Sequence, residues 1–126
     1  MSGGTKGWIG VDLDGTLAHY DRWRGAEHIG KPVKAMVERV KRWLAEGKYD
    51  VKIFTARVSH DGEPLSMEES RAAHAAIKAW SKKHLGQPLE VTNVKDYAMV
   101  ELWDDRAVQV RPNTGEPVGE STRGLS

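Results

Sequence analysis

The segment Trp8-Ile9-Gly10-Val11-Asp12-Leu13-Asp14-Gly15-Thr16-Leu17 constrains the fold more than any other stretch of this 126-residue chain. A short apolar run ends on two carboxylates spaced by one residue, and a glycine and a hydroxyl follow at once. Such a run reads as a buried strand. Charge placed at its end reads as the C-terminal edge of an open α/β sheet, where these sheets hold their ligands.

The rest of the chain repeats the plan. Tyr49 to Thr55 is expected as a second strand, with Val51, Ile53 and Phe54 as its apolar content. Leu89 to Thr92 is a short strand candidate, Val100 to Trp103 is the next, and Ala107 to Val110 is a last, short one. Pro32 suits the first position of a helix. Val33, Met36, Val37, Val40 and Leu44 then recur at helical spacing, and Gly47 stops the helix. Ser66-Met67-Glu68-Glu69 fits a capping box, with Ser66 as N-cap. That helix is expected through Trp80 to about Leu85, ending at Gly86. Asp96 to Met99 reads as one helical turn.

Strands and helices alternate, which predicts a Rossmann-like three-layer α/β/α sandwich with a mainly parallel sheet and no separate cap domain. One domain over residues 8–111 is expected. Residues 1–7 and 112–126 are expected as flexible termini, the latter rich in Gly, Pro, Ser and Thr.

Composition narrows the function classes. Hydrophobic residues are 39% and charged residues 29%, ordinary globular values. A net charge of +1 gives no sign of a polyanion partner. The chain has no cysteine, which excludes disulfides and thiolate zinc sites. No apolar stretch approaches the roughly 20 residues that span a bilayer, and Met1 to Gly7 lacks the apolar core of a signal peptide. The expectation is a soluble cytoplasmic protein with no membrane partner.

Three strand ends deliver polar groups: Asp12 with Asp14, then Thr55, then Asp104 with Asp105. In a parallel sheet they lie along one edge. Three or four carboxylates meeting there repel one another unless a cation joins them. Hard oxygen ligands favour magnesium, which keeps several waters and leaves room for a substrate phosphate. Taken singly, each acid is also an ordinary cap or turn residue. The set on matching strand ends is what points to phosphoryl-transfer chemistry.

The order Asp12-Leu13-Asp14-Gly15-Thr16-Leu17 resembles the first motif of the haloacid dehalogenase-like phosphatases. Val51-Lys52-Ile53-Phe54-Thr55 resembles the second motif, and Leu102-Trp103-Asp104-Asp105 the fourth. Lys95 is the best candidate for the third, a lone basic residue ahead of the final acids. The resemblance spans Trp8 to Val110, and the first motif is its most diagnostic part.

The resemblance implies a small capless phosphatase that hydrolyses a phosphomonoester through an aspartyl-phosphate. Asp12 would be the nucleophile, and a carboxylate needs no base to activate it. Asp14 would be the general acid and then the base, its backbone carbonyl touching the metal. Gly15 permits the turn that aims Asp14 into the site, and Thr16 either holds that turn or meets substrate. Thr55 would donate to a phosphate oxygen, and Lys95 would neutralise the phosphoryl group and Asp12. Gly15, Thr16, Ala56 and Arg57 are the substrate-binding candidates. Asp12, Asp14, Asp104 and Asp105 are the magnesium candidates, Asp104 acting directly and Asp105 through water or by orienting other groups.

One departure stands out: Asn93 to Met99 is short for a parallel crossover, which usually takes ten or more residues. Either the third helix of the family shrinks to a turn, or Leu89 to Thr92 is not a standard sheet strand. This weakens the claim of Lys95 more than that of the carboxylates.

Arg57 is expected near the mouth of the site, to grip a second phosphate or a carboxylate, or to make a surface salt bridge. Arg106 is expected to pair with a neighbouring acid. The connection Leu17 to Lys31 is too short for a folded cap, which leaves an open site. Trp23 within it is read either as a plug over the core or as a stacking surface for a base. Trp8, Trp43, Trp80 and Trp103 are expected to pack. The substrate expected is a phosphorylated small molecule or nucleotide, with a nucleic-acid 3′-phosphate end as a further candidate. Specificity is expected in Leu17 to Lys31 and Val58 to Leu65. The rival readings are a phosphotransferase and a catalytically idle binding module.

Overall fold

A computed structural model describes residues 6–58 and 66–120 of the chain. Residues 1–5 of the expected lead, 59–65 of the expected second loop and 121–126 of the tail lie outside the described residues.

The elements are β1 (Trp8–Asp12), α1 (Lys34–Glu46), β2 (Asp50–Phe54), a 3-10 turn (Ala56–Val58), α2 (Met67–Leu85), β3 (Glu90–Thr92) and β4 (Met99–Trp103). The four strands form one sheet in the order β3-β2-β1-β4. Every pairing is parallel: β1 with β2, β1 with β4 and β2 with β3. The α/β fold with a parallel sheet and no separate cap is therefore present. The strand order reverses direction at β1/β4, the place where a crevice opens beyond the strand ends in such sheets.

Alternation along the strands decides which face is covered. Ile9, Val11, Leu13, Val51 and Ile53 join Met36, Val37 and Val40 of α1 and Ile77, Trp80 and Leu85 of α2 in one core cluster. Each such side chain contributes about 1.5–3 kcal/mol by leaving water. Both helices thus lie on the same sheet face, as two right-handed crossovers taken in the same direction require. Trp43 packs edge-on against Trp103 at 5.2 Å, over the β4 side of that face.

No helix covers the other face among the described residues, so the expected three layers are two. The link 93–98 passes there instead, and Asp96 Oδ1 accepts from Trp8 Nε1 at 2.8 Å. Three strand spacings of about 4.8 Å separate β3 from β4. An extended chain covers up to about 3.5 Å per residue, so six residues make the crossing without a helix. The expected helical turn at Asp96 to Met99 is a tight turn closed by Met99 N–H on Asp96 O, with Asp96 Oδ1 also taking the Ala98 N–H. Leu89 to Thr92 does supply a sheet strand, one residue shorter than expected.

Helix boundaries follow the local chemistry with one exception. Ser66 and Glu69 make the full reciprocal capping box of α2, and Gly86 ends it at φ 88°. Gly47 ends α1 at φ 68°. Pro32, expected as the first helical residue, lies before α1, where it pairs antiparallel with Ala18. Leu17 and His19 still hold the chain there through Val33 N–H on Leu17 O and His19 N–H on Lys31 O, both at 2.8 Å. The helix begins only when that pairing ends.

At the C-terminal side, Ala107 to Val110 does not join the sheet; Val110 alone bridges to Pro117. Residues 109–118 fold back on themselves, with Val118 N–H on Gln109 O at 2.7 Å and Arg111 N–H on Glu116 O at 2.8 Å. Pro112-Asn113-Thr114-Gly115 makes the turn, Asn113 and Gly115 both taking positive φ. Those residues were expected to be a loose tail. No described helix is long and apolar enough to cross a membrane.

Candidate functional site

Leu13 separates the two acids of the first segment and is fully buried with Val11 beneath the helices. Burial of Leu13 turns Asp12 and Asp14 away from the core, at the C-terminal end of β1. Asp104 and Asp105 follow directly on β4, whose Trp103 is in register with Val11. One carboxylate oxygen each from Asp12, Asp104 and Asp105 lies within 4.8 Å of the others. Two strands whose acids are more than ninety residues apart in sequence thus build one anionic cluster.

Electrostatics mark Asp12 as its centre. Burial, a hydrogen bond with Asp105 and the nearby charges of Asp104, Asp105 and Asp14 raise its carboxyl from 3.8 to about 8. Without a cation, these effects favour the protonated form of Asp12. Hard carboxylate oxygens at this spacing suit a divalent cation such as magnesium, which would take that proton's place.

Thr16 ties the cluster together. Its hydroxyl donates to Asp12 Oδ2 at 3.3 Å and accepts the Asp105 N–H at 3.1 Å. Thr16 therefore couples the end of β1 to the end of β4, and of its two expected roles the structural one has the contacts. Gly15 sits at φ 89°, and a Cβ there would come within 2.5 Å of Asp105 Oδ2. Only glycine gives both the left-handed turn and the room for that carboxylate.

Asp14 does not join the acidic cluster through its side chain. Arg57 holds it instead, Nε on Oδ2 at 2.8 Å and an Nη on Oδ1 at 2.9 Å. A guanidinium gripping both carboxylate oxygens is the strongest geometry for such a pair. Arg57 is 5% exposed, so this is a buried pair and not a surface salt bridge. The second Arg57 Nη donates to Gly25 O at 3.3 Å and Ala26 O at 3.0 Å. The guanidinium also lies 5.0 Å from the Trp23 ring centroid.

Thr55 is buried at the end of β2, held by its N–H on Thr92 O at 2.9 Å. Its hydroxyl accepts the Arg57 N–H at 3.1 Å, which opens the 3-10 turn and leaves the O–H as a donor. Ala56 heads that turn, exposed, with only backbone groups to offer.

Lys95 is not brought to the others. It is exposed in the link 93–98, beside Asp96, which bonds Trp8 at the opposite end of β1. The charges acting on Asp12 are Asp104, Asp105 and Asp14. Arg106 meets Asp104 through its backbone N–H at 2.8 Å and not through its guanidinium.

No family model, curated protein or solved structure matches the chain.

Sequence reasoning did not find the flap formed by residues 17–33. Its base is the antiparallel pairing of Leu17 to His19 with Lys31 to Val33. Trp80 Nε1 pins it to α2 by donating to Gly30 O at 3.0 Å. Arg57 anchors its tip. Trp23 is 47% exposed and absent from the core cluster, so the plug reading fails. The signal for the flap was Arg57 close behind Thr55, but its partner Asp14 is 43 residues away and no local pattern names it.

Proposed function

We propose that this chain is a magnesium-dependent phosphomonoester hydrolase of the haloacid dehalogenase-like kind, working through an aspartyl-phosphate at Asp12. The observation that carries the reading is the meeting of Asp12, Asp104 and Asp105 at the β1/β4 switch point. A scaffold gains nothing from like charges gathered at one sheet edge, because their mutual repulsion destabilises it.

Asp12, Asp104 and Asp105 would hold the ion. Magnesium held there would supply positive charge that offsets these carboxylates and the phosphoryl group. An Asp12 oxygen attacks phosphorus, and the bond from phosphorus to the ester oxygen breaks. The leaving oxygen takes the electron pair and a proton from Asp14. Water then attacks the phosphorus of the aspartyl-phosphate; Asp14 takes its proton, and Asp12 is regenerated as inorganic phosphate leaves. Arg57 orients Asp14 through one carboxylate oxygen while the other, released from the guanidinium, carries the proton, and the Thr55 hydroxyl donates to a phosphoryl oxygen. Positioning and charge compensation supply most of the catalysis in phosphoryl transfer. Few further groups are needed, and Lys95 is not among them. A phosphorylated small molecule or nucleotide is the substrate class, in an open, capless site.

The test is turnover of an aryl phosphate in magnesium by the wild type and Asp12→Asn. Hydrolysis by the wild type and none by the variant supports the reading. Undiminished turnover by the variant overturns the nucleophile.

A further inference from the structure

Trp23 is held in place while nearly half of it, 47%, stays in water. One side of its indole faces the Arg57 guanidinium at 5.0 Å. That guanidinium is itself fixed by Asp14 and by the backbone carbonyls of Gly25 and Ala26. The flap carrying Trp23 is tied down at its base and on α2. The indole is therefore a rigid platform, one guanidinium removed from the carboxylate that exchanges the leaving group's proton. Tyr20 of the same flap is also exposed, at 43%, but has no ring or cation contact among the described residues. An indole nearly half in water, with a guanidinium on one side, is an incomplete stack.

We propose that the open face of Trp23 stacks on the base of a mononucleotide whose phosphate sits at Asp12. This rests on the hydrolase reading and names its substrate class. A single backed ring receives a single base. The net charge of +1 does not supply the basic track that a polynucleotide would need. Of the two arginines that flank Trp23, Arg24 is already paired with Asp21 at 2.7 Å.

The experiment measures kcat/KM for adenosine 5′-monophosphate and for base-free ribose 5-phosphate, in magnesium, with the wild type, Trp23→Ala and Trp23→Phe. The wild type should prefer the nucleotide. Trp23→Ala should lower the ratio of the two kcat/KM values by about 5- to 150-fold, the equivalent of about 1–3 kcal/mol of base–aromatic stacking, chiefly through KM. Trp23→Phe should restore most of it. A wild-type ratio near one, or a ratio that Trp23→Ala leaves unchanged, overturns the proposal while the hydrolase reading stands. If neither compound is turned over, the aryl phosphate assay alone decides the hydrolase reading. Calorimetric binding of adenosine 5′-monophosphate then decides the stack: weakening by Trp23→Ala supports it, and absent or unaltered binding overturns it.

Discussion

The two ends of the sheet treat charge in opposite ways. At the N-terminal end three acids have partners: Asp50 with Lys6 at 3.4 Å, Glu90 with Lys52 at 3.5 Å, and Asp96 with the Trp8 indole at 2.8 Å. Lys52 also lies 4.5 Å from the Trp8 ring centroid. A groove of about 390 Å³ opens there, lined in part by Lys6, Tyr49, Asp50 and Lys52, but its charges are already matched. At the C-terminal end Asp12, Asp104 and Asp105 face one another, and burial raises the proton affinity of Asp12. A large groove with balanced charge is quiet. The small cluster instead sets three carboxylates against one another.

Replacing the central acid breaks this contrast most sharply. Asp12→Asn should bring phosphomonoester turnover to background while the fold persists, checked by an aryl phosphate assay beside thermal melting. Magnesium comes next. At a hundredfold excess over its Kd it should stabilise the wild type by about 2.7 kcal/mol, and the double change Asp104→Asn, Asp105→Asn should remove that gain; melting curves with and without the ion read it out.

A pH series sharpens the same point. The folded carboxyl of Asp12 titrates at about 8 against 3.8 for the ordinary group. Between those values the folded state holds more protons than the unfolded one, so metal-free stability falls as pH rises through this window and levels off above it. Magnesium displaces that proton, so its affinity should rise with pH over the same range. Denaturant titrations at several pH values check the slope, which Asp12→Asn should flatten.

The matched end should give the smallest effects. Asp96→Ala should lower the melting temperature slightly and leave the response to magnesium intact. Lys95→Ala should change stability by no more than about 0.5 kcal/mol and leave kcat unaltered. A large loss of kcat in Lys95→Ala would return that lysine to the site.

The parts of this contrast that the sequence exposes are local in cause. Val11 and Leu13 alternate with Asp12 and Asp14 within one short segment, so a buried strand ending in acids is readable without its neighbours. Ser66 to Glu69 and the glycines at 47 and 86 likewise act over a few residues. Matching strand ends then suffice to gather Asp104 and Asp105 beside Asp12. The rest depends on partners far along the chain. Asp14 shares its short segment with Asp12, but the partner of its carboxylate, Arg57, lies 43 residues away. Lys95 lies close before the final acids in sequence, but the link that carries it runs back to the other end of the sheet. Pro32 carries a helix-start signal that pairing with Ala18 overrides. The missing helical layer was legible only as a distance: six residues between β3 and β4 are too few for a helix and enough for a straight crossing.

That crossing has a consequence for how the centre comes together. β4 has no helix of its own to hold it, and it carries Asp104 and Asp105 as a pair. Any transient detachment of this outer strand from β1 would remove both from Asp12 at once, with the Thr16 bridge as the local clasp. Amide exchange along Met99 to Trp103 should therefore slow when the ion is added, whereas exchange in β2, clamped between two strands and under both helices, should barely register its arrival.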